Sequence, residues 1–73
     1  MKNFVGELTS CNSLNKEVQK LRHQICSITF MDDNRAEIKS SVGGFKTSPI
    51  KTIKKEYGEI VLYTENSRYG FTC

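Results

Sequence analysis

Apolar positions in the first third of the chain step almost as a heptad. Phe4, Leu8, Cys11, Leu14, Val18, Leu21 and Ile25 follow one another at intervals of three or four residues, the period of one helical face. Gly6, Thr9, Ser10, Asn12 and Ser13 are poor in a helix interior. The pattern therefore predicts a helix over Leu14–Gln24 with Ser13 as its N-cap, and residues 1–12 form an arm or a further helical turn. From Cys26 the period drops to two. Cys26–Met31 alternates and carries β-branched and aromatic residues, Asp32–Arg35 is turn chemistry, and Ala36–Ser40 alternates again, which reads as a β-hairpin. Val42–Phe45 reads as a loop. Ser48 followed by Pro49 has the form of a helix start. Ile50, Ile53 and Tyr57 lie at i, i+3 and i+7, and Gly58 suits a C-terminal stop. Pro49–Tyr57 is thus predicted to be a short helix, with an extended Ile50–Lys55 as the competing reading. Glu59–Thr64, a turn at Glu65–Arg68 and Tyr69–Cys73 complete a second hairpin.

The two halves overlay. Phe30 falls on Tyr63, Arg35 on Arg68 and Ile38 on Phe71, while Val18, Leu21 and Ile25 fall on Ile50, Ile53 and Tyr57. This suggests an internal αββ repeat. The expected fold is α+β: an α-β-β-α-β-β two-layer sandwich, a four-stranded antiparallel sheet with two helices on one face. Residues 1–73 then form one small domain, with a helix plus hairpin over 13–41 and a short helix plus hairpin over 48–73. In that arrangement Ile28, Phe30, Ala36, Ile38, Val61, Tyr63, Tyr69 and Phe71 face the helices. Met31, Ile60 and Leu62 are left on the far face without a cover, and Gly70 beside them offers a flat spot for another backbone. These four are the candidate protein-binding residues, and a second copy of the chain is one way to cover them.

Composition narrows the classes. The chain has 73 residues, 37% hydrophobic and 26% charged, too apolar for disorder and without the roughly 20-residue apolar run of a membrane span. No basic start with an apolar run marks an export signal. Cys11, Cys26 and Cys73 have no CxxC spacing and read as reduced thiols, which together with the missing signal favours a cytoplasmic protein. His23 and Cys26 lack the second ligand pair that zinc needs. No catalytic constellation is visible, so an enzyme is not expected, and neither is a cofactor.

Charge supplies the remaining candidates. The formal net charge is +3. Lys16, Lys20, Arg22, Lys51, Lys54 and Lys55 fall on the predicted helices, where they would form a positive surface for nucleic acid or an acidic partner. Gly43, Gly44, Lys46, Thr47 and Ser48 lead into the second predicted helix and could hold a phosphate at its N-terminus. Arg35 and Arg68 both follow hairpin turns and could pair around an anion. The leading expectation is a small binding or regulatory protein, a homodimer, that acts by direct contact with another macromolecule. A phage-type inhibitor is one such form, consistent with the Lys, Asn and Ile content of an AT-rich coding genome. Nucleic-acid binding through the lysines and capture of a phosphorylated small molecule or nucleotide at Gly43–Ser48 are the alternatives.

Overall fold

The computed structural model describes residues 3–73. Its elements are β1 (Phe4–Cys11), α1 (Lys16–Gln19), β2 (Ile25–Phe30), β3 (Ala36–Ser40), β4 (Gly43–Lys46), β5 (Ile50–Glu56), β6 (Glu59–Thr64) and β7 (Arg68–Thr72). All the strands join one seven-stranded sheet in the order β4-β3-β2-β1-β7-β6-β5, and every pairing is antiparallel. The four-stranded sheet under two helices is therefore overturned. Both expected hairpins exist, as β2–β3 and β6–β7. The segments before them do not match each other, so the αββ repeat does not hold.

The sheet must curl. Laid flat, seven strands would put β4 and β5 about 29 Å apart at the usual strand spacing. Only Thr47, Ser48 and Pro49 separate them in sequence, and that link spans about 14 Å at most. The molecule measures 25 × 24 × 20 Å, and the ring of Phe45 on β4 lies 5.4 Å from that of Tyr69 on β7. β1 turns the other corner. Its first half, Phe4–Glu7, pairs with β2, and its second half, Glu7–Cys11, pairs with β7 across a bulge between Leu8 and Ser10. Strands that switch between sheet halves at bulges and bends make the corners of a barrel-like sandwich.

Two bulges explain the two helical misreadings. A strand has period two, but one extra residue converts a spacing of two into three. On β1 the bulge lies between Leu8 and Cys11, so both still pack on the core. On β5 a second irregularity lies between Ile50 and Thr52, and Ile50 and Ile53 again both pack inward. Spacings of four and three, or of three alone, then imitate one face of a helix.

Pro49–Tyr57 is accordingly the β5 strand and its turn. Ser48 Oγ accepts the Asn66 N–H, and the Pro49 carbonyl accepts the Glu65 N–H, so neither residue begins a helix. Tyr57 and Gly58 have φ of 50° and 80°, the conformation a two-residue hairpin requires. The predicted Leu14–Gln24 helix shrinks to Lys16–Gln19. Asn15 caps it, its Oδ1 accepting the Glu17 N–H at 2.8 Å. Past Leu21 the chain turns at His23, whose φ is 67°, and its N–H donates to the Leu8 carbonyl at 2.7 Å. Residues 4–11 are a central strand rather than an arm, and residues 1–2 lie outside the described part. Gly43–Phe45 is strand β4 instead of a loop.

The barrel encloses Leu8, Cys26, Ile28, Ala36, Ile38, Leu62, Tyr69 and Phe71, with Val18 and Leu21 from the α1 segment sealing it. Among the described residues no helix is long and apolar enough to cross a membrane.

Candidate binding groove

The sheet ends at β5, which pairs only with β6 among the described residues. The start of β5 is pinned to the β2–β3 turn. The Ile50 N–H donates to the Asn34 carbonyl at 2.8 Å, and Asn34 Nδ2 donates to the Ile50 carbonyl at 2.8 Å. Asn34 has φ 65°, a left-handed conformation that asparagine tolerates. Beyond Ile50 the strand leaves this anchor. From Lys51 to Glu56 its backbone bonds only to β6, so alternate N–H and C=O groups point away from the sheet.

A groove lies along that seam. A cavity of about 350 Å³ is lined by Phe4, Phe30, Ile53 and Ile60, with Lys54 and Lys55 on its border. An adjoining one of about 210 Å³ shares Phe30 and Ile53 and extends to Met31, Ile50 and Arg35. Phe4, Phe30, Ile50, Ile53 and Ile60 all pack against the core while remaining only partly buried. They are the inward residues of strand ends that the curl does not bring into pairing contact. Phe4 ties the wall together, edge-on to Phe71 at 5.6 Å and tilted against Phe30 at 6.1 Å.

Positive charge borders the groove. Lys51, Lys54 and Lys55 are exposed on β5, and none of them makes an ion pair among the described residues. Lys54 Nζ stands 5.6 Å from the centre of the Tyr63 ring. The nearby carboxylates are engaged: Glu56 accepts the Tyr63 hydroxyl at 3.4 Å, Glu59 accepts the Thr9 hydroxyl at 2.7 Å, and Asp33 lies 3.6 Å from Arg35.

The structure sorts the sequence candidates. Met31 and Ile60 border the groove. Leu62 is 0% exposed in the core, so the idea of it as an uncovered contact residue is corrected. Register is the reason: Leu62 lies opposite Tyr69 and Ile60 opposite Phe71, so Ile60 and Leu62 share the interior face with those two, and Val61 and Tyr63, expected to face the core, take the other face. Gly70 is buried too. A Cβ there would collide with Ser10 Oγ and come within 2.9 Å of Glu59 Oε1, so no partner backbone can approach. The six cationic candidates do not share a helical face: Lys16, Lys20 and Arg22 lie on and just after α1, while Lys51, Lys54 and Lys55 lie on β5.

The phosphate loop at Gly43–Ser48 is also corrected, because no helix follows it. Gly43, Gly44 and Lys46 are in β4. Thr47 is buried, with Oγ1 accepting the Ala36 N–H at 3.0 Å, and Ser48 is committed to Asn66. Arg35 and Arg68 do not form a pair. Arg35, just before β3, is occupied by Asp33 and the Thr47 carbonyl, while Arg68 opens β7.

Sequence reasoning missed Phe4, Phe30 and Ile53 as surface residues. Each sits on an apolar stripe and reads as core, and only the open seam exposes it. No known protein family, curated protein or solved structure matches this chain.

Proposed function

We propose that this protein is a non-enzymatic binding module that acts by contact, with the groove beside β5 as its working surface and an acidic macromolecule as its ligand. The observation that carries this reading is the juxtaposition of partly buried Phe4, Phe30, Ile53 and Ile60 with three lysines that have no counter-ion among the described residues. Apolar surface left open beside uncompensated charge suits a partner that supplies both apolar contact and negative charge. Modulation of another macromolecule follows if that partner is an enzyme or a regulator.

A charge-reversal comparison tests it. Lys51→Glu/Lys54→Glu/Lys55→Glu and Lys16→Glu/Lys20→Glu/Arg22→Glu change the net charge by the same amount, the first set on β5 and the second on and just after α1. The first set should abolish retention on immobilised polyglutamate at low salt, and the second should weaken it only slightly. Equal losses would reduce the effect to overall charge and remove the site. Single-stranded nucleic acid is the second reading. Tyr57 favours it, since it stands fully exposed at the β5–β6 turn next to Lys55, as a stacking platform requires.

A further inference from the structure

We infer, building on the groove reading above, that the ligand is an extended peptide of alternating acidic and apolar residues that adds to β5 as a further antiparallel or parallel strand. The argument begins with the backbone. β5 is the one long edge of the sheet: β4 has four residues and β5 seven. Past the Asn34 anchor its outward amides and carbonyls have no partner in the described chain. An extended peptide satisfies such groups directly, and affinity then comes from main-chain bonds with side-chain pockets adding selectivity.

The side chains specify the alternation. On β5, Ile53 turns in toward the core and Lys54 turns out over Tyr63. A strand laid alongside sends successive side chains to the same two faces. Its inward residues would meet Ile53, Phe30 and Phe4, with Lys55 at the end of the same face, and its outward residues would meet Lys54. Apolar residues fit the first set and carboxylates the second.

The same features disfavour the other occupants. A second copy of β5 would bring Lys51, Lys54 and Lys55 against their equivalents, and like charges across a strand pair are destabilising. A nucleic-acid strand needs open ring faces along the groove. Phe4 instead is engaged with Phe30 and Phe71, and a phosphate backbone, which only accepts, leaves the free β5 carbonyls without donors.

The test uses a fluorescent peptide of alternating Glu and Val, with two twins N-methylated at alternate residues so that one or the other edge cannot donate. One twin should bind like the parent and the other at least about tenfold more weakly. Amide exchange within Lys51–Glu56 should slow when the parent peptide is present. Equal binding by both twins overturns strand addition. Displacement of the peptide by oligothymidylate at lower concentration overturns the peptide in favour of nucleic acid. A doubled mass with β5 amides protected in the absence of peptide overturns it in favour of a second copy. If the peptide fails to bind while β5-dependent retention on polyglutamate persists, this inference falls and the groove reading stands. If that retention is absent as well, both fall.

Discussion

At the scale of single residues, steric environment decides roles that residue type leaves open. Gly44 and Gly70 look alike in the sequence, yet their neighbours differ. A Cβ on Gly44 would lie 2.8 Å from the Ile38 backbone carbonyl, which the β3–β4 pairing holds in place. At Gly70 the obstructing atoms are the ends of the Ser10 and Glu59 side chains, which can swing aside. Gly44→Ala should therefore cost about 1–3 kcal/mol in urea unfolding, and more than Gly70→Ala. A reversed order would mean that the edge strand yields more readily than the Glu59 carboxylate.

Buried thiol and phenol groups give a pH prediction at the same scale. Burial pushes the Cys26 thiol above its ordinary 9.0, partly offset by a backbone hydrogen bond from Leu8. It also pushes the Tyr69 hydroxyl above its ordinary 10.0. In both cases the folded state keeps a proton that the unfolded chain releases. The resulting stability is full below the unfolded values and declines as pH rises past about 9. The melting temperature should fall through that range, and Cys26→Ala should make the fall shallower. A melting temperature constant up to about pH 10.5 would contradict this.

At the scale of elements, turns and bulges set the architecture. Tyr57 holds φ 50° and Gly58 φ 80° in the β5–β6 turn. Asparagine tolerates the left-handed region better than tyrosine, so Tyr57→Asn should raise stability slightly, by a few tenths to about 1 kcal/mol. Gly58→Ala should lower it by about 1 kcal/mol. Thermal denaturation of the two variants in opposite directions would verify the turn, and a loss on Tyr57→Asn would contradict it. The hairpins β2–β3 and β6–β7 were legible because their alternation is unbroken and their turns are rich in Asp, Asn and Ser. β1 and β5 were not, since each carries an irregularity that shifts the apolar period from two to three.

At the scale of the whole molecule, curling creates both the core and the groove. Leu62 belongs to the enclosed interior, and Leu62→Ala should cost about 2–5 kcal/mol. A chain of this length has a total stability of only about 4–11 kcal/mol, so that change should lower the urea midpoint markedly. A midpoint unchanged from the native protein would show that Leu62 is not enclosed. The candidate site was half legible. Lysines at positions 51, 54 and 55 and apolar Met31 and Ile60 stood out on charge and pattern. The free edge and the partly open Phe4, Phe30 and Ile53 depend on where the barrel fails to close.

The chain's own pattern determined two hairpins, a largely apolar interior and an excess of positive charge, because alternation, turn chemistry and ionisation are local properties. Tertiary structure alone decided which strands became neighbours. Pairing β7 with β1 joins residues some sixty positions apart, such as Cys11 and Tyr69, and no local period encodes such a contact. That long-range pairing closes the interior around Leu62, leaves β5 as the longer of the two sheet edges, and so selects which of the lysines and apolar residues face an open groove.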